Sequence, residues 1–290
     1  MNRKDFLKKG LMGTGIFAAS GALGSVIHNN IDEISALEVL GFNHLPKTNS
    51  IIMENMVLHK ANSRGKADHG WLKSQHSFSF ASYYNPERMH FGVLRVLNDD
   101  VVSGGMGFGT HPHDNMEIIS IPLQGNLEHK DSMGNKAVIR KGDVQVMSAG
   151  TGVYHSEYNQ NKDEEVKFLQ IWVFPNKKNV SPRYDQISLD EKDRQNKWQQ
   201  ILSPSPDDAG VWIHQDAWFH LGNFEKGKSI DYKLRKKGNG VYAFVLSGKV
   251  KIENQELETR DGLGIWDMDQ LKMEAEADSE ILLMEVPIVV

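Results

Sequence analysis

Gly105-Met-Gly-Phe-Gly-Thr-His111-Pro-His113, leading into Met116-Glu-Ile-Ile-Ser-Ile121, is the stretch on which the fold turns. The run 116–121 is apolar and β-branched, which predicts a strand. Residues i and i+2 of a strand share a face, so His111 and His113 aim into one space. About forty residues on, the spacing recurs in Tyr154-His155-Ser156-Glu157. An extended segment there puts His155 and Glu157 on a common face. Two such pairs facing each other across a small barrel give three imidazoles and one carboxylate, a ligand set for a divalent transition metal.

Two histidines at i,i+2 are unremarkable in a chain that holds 12. The glycines around both pairs add weight. Gly104, Gly105, Gly107 and Gly109 precede or enter the first; Gly142, Gly150 and Gly152 precede the second. Glycine permits tight turns and close backbone approach at barrel corners. The framed pairs make His111, His113, His155 and Glu157 the candidate metal ligands.

Gly105, five residues, His111-x-His113, three residues, Glu117 and then Gly125 resembles the first cupin motif. The general cupin pattern sets that last glycine one residue earlier and makes the motif Glu a ligand. The variant Thr-His-Pro-His-x-x-Met-Glu-Ile, followed by Gln-Val-Met-Ser-Ala-Gly-Thr-Gly-Val-x-His-Ser-Glu-Tyr-Asn, resembles the pirin family. It is most similar to bacterial pirins with quercetin 2,3-dioxygenase activity. The likeness runs from about Ser63 through Gln170-Ile-Trp-Val-Phe-Pro175 and continues more weakly to the C-terminus. It implies that His111, His113, His155 and Glu157 hold the metal, so that Glu157 rather than Glu117 is the carboxylate ligand.

The 290 residues suffice for two ordinary domains. The net charge of -5 comes without a basic stripe, which argues against a nucleic-acid partner. Cysteine is absent, excluding disulfides, thiolate metal sites and cysteine nucleophiles. A closed structural zinc site usually relies on thiolates, and none exist here; the pirin resemblance implies a site with open positions.

Residues 1–30 read as an export signal. Met1-Asn-Arg3-Lys4-Asp-Phe6-Leu7-Lys8-Lys9 is basic, and an uncharged stretch from Leu11 to Ile27 follows. Arg3-Lys4 resembles a twin-arginine signal, with Lys4 in place of the second Arg. This predicts a periplasmic, exported protein, the alternative being cytoplasmic, and any membrane contact only through an uncleaved signal. Residues 31–50 read as a linker, 51–175 as an N-terminal metal-binding domain, and 185–290 as a second domain.

The first domain is expected to hold short strands separated by turn signals, as in a barrel. Strands are predicted at 57–59, 75–80, 91–97, 144–147 and 166–174, with a turn at Asn98-Asp99-Asp100 and a hairpin joining 127–130 to 137–140. Ser188-Leu-Asp190-Glu191 resembles a capping box and predicts a short interdomain helix to about Leu202. Strands return at 212–222, 241–252 and 281–286 without a His-x-His, so His214 and His220 read as packing or surface residues. The strand pattern indicates an all-β barrel or sandwich, and the pirin resemblance implies the expected fold: two tandem cupin (jelly-roll-like) β-barrels, the second degenerate.

The pirin resemblance further implies a metal-dependent dioxygenase that opens flavonols such as quercetin with O2 and releases carbon monoxide. Fe(II) is the metal expected first, with Mn, Ni, Cu, Co and Zn as the other candidates. Glu157 is the expected catalytic proton acceptor, and the protein is expected to be a monomer. Phe78, Phe80, Phe91, Met147 and Trp172 are candidates for a slot around a flat aromatic ligand. Arg95 and Glu117 are candidate outer partners of the ligands. The competing reading is a metal-binding regulatory pirin that acts through protein partners.

Overall fold

The computed structural model describes residues 50–53 and 55–289. The export signal and nearly all of the linker lie outside the described residues. These described residues form one compact unit. Four antiparallel-rich sheets of eight, seven, four and four strands build it. The N-terminal barrel pairs the seven-stranded sheet with the four-stranded sheet made from Gly107–His113, Val153–Asn159, Asn126–Asp131 and Lys136–Arg140. The C-terminal barrel pairs the eight-stranded sheet with the other small one.

Alternation decides what each strand buries. Along Val166–Val173, Leu169, Ile171 and Val173 enter the large core shared with the second barrel, where Phe219, Phe244 and Met284 meet them. Phe168, Gln170 and Trp172 take the other face, toward the interior of the first barrel. The strand is buried on both faces, so it reads as a nearly continuous apolar run. The second barrel is filled by its own core, which includes Val241, Ala243, Val250, Leu271 and Ile281. His220 is packed there against Tyr232, ring centroids 5.1 Å apart, while His214 lies half-buried against Trp212.

The predicted hairpin forms with Leu127 opposite Ile139. Five expectations change. The strand Met56–His59, placed by sequence in the first domain, pairs with Gly262–Ile265 and so extends the sheet of the second barrel. Arg183–Ser188 pairs with Asp143–Ser148, carrying the first barrel past residue 175 to Ser188. The interdomain helix shrinks to one 3-10 turn, Glu191–Arg194, in which the Asp190 carboxylate accepts from the Lys192 N–H. It stops there because Gln199–Ser203 is drawn into the sheet beside Trp218–Phe224. Finally, Leu94–Val102 is one strand that runs through Asn98-Asp99-Asp100 without turning. The strand predicted at 75–80 is correspondingly Leu72–His76, which pairs with it.

Candidate metal centre

The two histidine-bearing segments lie side by side in the small sheet, His155 directly opposite His111. Gly107 permits this approach: a Cβ there would run into the Glu157 carbonyl oxygen and the Tyr158 Cα. The register slips between His155 and Glu157, an irregularity that turns side chains toward a site. Both residues point inward, while Tyr154 and Tyr158, which flank them in the sequence, are exposed.

The three rings close on one another. Centroids are 4.4 Å apart for His111–His155, 4.9 Å for His111–His113 and 4.9 Å for His113–His155. One ligand nitrogen from each lies within 4.8 Å of the others. His111 Nδ1 donates to the Gly109 carbonyl at 2.7 Å, leaving Nε2 as its lone-pair nitrogen. His155 is buried, and neither of its ring nitrogens has a hydrogen-bond partner. Orphaned buried nitrogens are costly, and a metal bond would satisfy one. Burial, followed by repulsion from His111, His113 and His129, pushes the His155 pKa down to about 2. Burial first, then His111, brings His113 to about 4 against a small opposing effect of Asp114. Both rings are therefore neutral near pH 7, the form that binds metal.

Glu157 stands deeper. Its Oε1 accepts from Ser120 Oγ at 3.1 Å. Burial, opposed by that hydrogen bond and reinforced by Asp100, lifts its pKa to about 7. It groups with His155 and His129 rather than directly with His111 and His113. His155 is thus the residue common to both groups.

A cavity of about 390 Å³ opens against the cluster, within the range of about 300–1,000 Å³ for small-molecule sites. Phe80, Trp172, Phe108 and Leu72 give it apolar walls. Trp172 meets His113 edge-on at 4.9 Å and Phe80 at 5.3 Å. Of the five slot candidates, Phe80 and Trp172 line this space, whereas Phe78, Phe91 and Met147 are packed in cores. Neither proposed outer partner holds a ligand ring. Arg95 donates to the Ser79 and Met89 carbonyls at 2.6 and 3.1 Å, tying down a loop. Glu117 accepts from Ser148 Oγ at 2.6 Å.

The polar lining was missed in the sequence. Asn98 and Asp100 face the cavity, with Ser74 Oγ donating to Asp100. Gln170 joins them, its Oε1 3.3 Å from the Ser120 Oγ, whose one proton it shares with Glu157. Their signal was the i,i+2 spacing of Asn98 and Asp100 within a β-branched run.

Comparison with known proteins shows where this arrangement belongs. A family model described as Pirin matches residues 57–173. Quercetin 2,3-dioxygenase of Escherichia coli strain K12 is 45% identical over 230 residues, covering 79% of this chain and 98% of that protein. The chain belongs to the pirin family. A second family model, described as Quercetinase C-terminal cupin domain, matches residues 200–286 of this pirin. A pirin-like protein of Caulobacter vibrioides is 40% identical, over 76% of this chain and 95% of its own. The crystal structure of the bacterial pirin YhhW from Escherichia coli in complex with nickel(II) superposes with a TM-score of 0.76 at 43% identity, covering 81% of this chain and all of that one. Two cupin-type barrels, built of strands with only two short 3-10 turns among the described residues, are therefore this pirin's fold.

Proposed function

We propose that this pirin is a metal-dependent dioxygenase that opens flavonols with O2 and releases carbon monoxide. The observation that carries the reading is the three-imidazole cluster, with its two orphaned His155 nitrogens, at the wall of an apolar cavity. The relatives named quercetin 2,3-dioxygenase supply the substrate class. His111, His113 and His155 would hold the metal, with Glu157 as the carboxylate beside them. We propose iron(II) as the working metal. Imidazole and carboxylate donors without thiolate suit it, and nickel(II) in the YhhW complex is the first alternative.

When bound, such a metal supplies Lewis acidity toward the substrate's 3-hydroxyl and electron transfer toward dioxygen. The protein's part follows from its side chains. Phe80 and Trp172 hold the flat ring system and keep water out. Asn98, Asp100 and Gln170 offer hydrogen bonds to its hydroxyls. Glu157, the carboxylate beside the metal, is the group placed to accept the 3-hydroxyl proton. The flavonol and one O2 then leave as one ring-opened ester and one carbon monoxide.

The test is flavonol absorbance with and without oxygen, carbon monoxide being measured in the headspace. Oxygen-dependent loss with equimolar carbon monoxide, absent in His155→Ala, is expected. Stoichiometric metal with a spectral shift but no turnover would instead fit a binding protein. The sequence of residues 1–27 leads us to propose export as well.

A further inference from the structure

A metal-ligating imidazole almost always has its second ring nitrogen held by a partner, which fixes the ring and tunes the ligand. His111 follows this rule through the Gly109 carbonyl. His155 does not. Both of its nitrogens are buried without partners, and coordination would engage one. Beside it, with centroids 5.4 Å apart, stands His129 on the adjacent strand Asn126–Asp131. His129 Nδ1 is itself buried and unpartnered. Ligand atoms of His129, His155 and Glu157 lie within 4.8 Å of one another.

His129 is held firmly. Its Nε2 lies 3.0 Å from Asp131 Oδ2, and both side chains are fully buried. The Tyr184 ring packs against it at 4.8 Å. Asp131 is fixed by the hairpin it opens. Its Oδ1 accepts from the Met133 and Asn135 N–H groups at 2.9 and 3.0 Å, and its Oδ2 from Asn135 Nδ2 at 2.9 Å. An ionised carboxylate only accepts, so His129 Nε2 carries the proton and Nδ1 is a bare lone pair. That lone pair requires a donor.

We infer that His129 is the positioning partner of His155. Its Nδ1 accepts the N–H of the His155 nitrogen left over after coordination, with Asp131 fixing the His129 ring from behind. The hairpin turn 131–135 thereby sets the orientation and basicity of a metal ligand on the neighbouring strand. The inference rests on the metal assignment proposed above.

Cobalt(II) titration of the metal-free full chain tests it, read by the ion's visible absorption bands, with thermal melts of the metal-free proteins alongside. His129→Leu is expected to weaken cobalt binding by about 10–100-fold and to shift the bands. His129→Gln, which restores an acceptor oxygen, is expected to recover much of the affinity. Should His129→Leu fail to fold, Asp131→Asn serves instead. It keeps an oxygen for the turn but no longer fixes the His129 tautomer, and it should weaken binding in the same direction. Wild-type affinity and bands in His129→Leu, or in Asp131→Asn where that is the variant tested, would overturn the inference. So would a second cobalt per chain that vanishes in His129→Leu, since His129 would then be a ligand. A wild-type protein that binds no cobalt would overturn the metal assignment itself.

Discussion

Glu157→Gln separates the cost of the site from its use. In the metal-free protein the Glu157 carboxyl is buried, with a pKa lifted to about 7 from 4.5 by burial first and by Asp100. The folded state therefore binds more protons than the unfolded state between those values. Stability from this group is full below pH 4.5 and falls as pH rises toward 7. At about 1.4 kcal/mol per pH unit across that window, a charged Glu157 costs the metal-free fold about 3 kcal/mol. Glutamine keeps the shape and a hydrogen-bonding oxygen but carries no charge. Chemical denaturation of the two metal-free proteins at pH 5 and pH 8 should show the variant gaining on wild type by a few kcal/mol at pH 8 and little at pH 5. With metal bound the order should invert, because the cation then compensates the wild-type carboxylate. A stability difference between the two proteins that does not change from pH 5 to pH 8 would refute this reasoning.

Gly107→Ala should push the two histidine-bearing strands apart, destabilising the fold by about 1–3 kcal/mol and lowering metal content, read by thermal denaturation and metal analysis. Trp172→Ala removes a wall of the cavity while leaving the imidazoles in place. Burial of a large side chain contributes about 1.5–3 kcal/mol, so KM for a flavonol should rise on the order of tenfold or more with metal content unchanged. Fractionation of cells producing the full chain should place it in the periplasm, and replacing Arg3 and Lys4 with glutamine should retain it in the cytoplasm.

The histidine pairs were legible because strand geometry fixes where i and i+2 point, and both segments are strands. Strand spacing and turn signals made an all-β fold legible, and the pirin resemblance supplied the two barrels. The triplet Asn98-Asp99-Asp100 misled because polar residues in series resemble a turn. Here, Asn98 and Asp100 face the cavity, while Asp99 pairs with Arg64 and Arg260 at 3.2 and 2.9 Å on the other side. The helix predicted after Ser188 failed for a tertiary reason: local capping was satisfied within one turn, and sheet pairing claimed Gln199–Ser203. Nothing in Met56–His59 signals that its partner lies some two hundred residues away in Gly262–Ile265. His129 was equally silent, since a lone histidine in a strand acquires meaning only from Asp131 and His155 beside it.

The central claim is that one O2 enters the flavonol whole. Turnover under isotopically heavy dioxygen, followed by mass spectrometry of the ring-opened product, tests it most directly. The account predicts both heavy atoms in the organic product and unlabelled carbon monoxide. One heavy atom or none, or label lost to water, would contradict it.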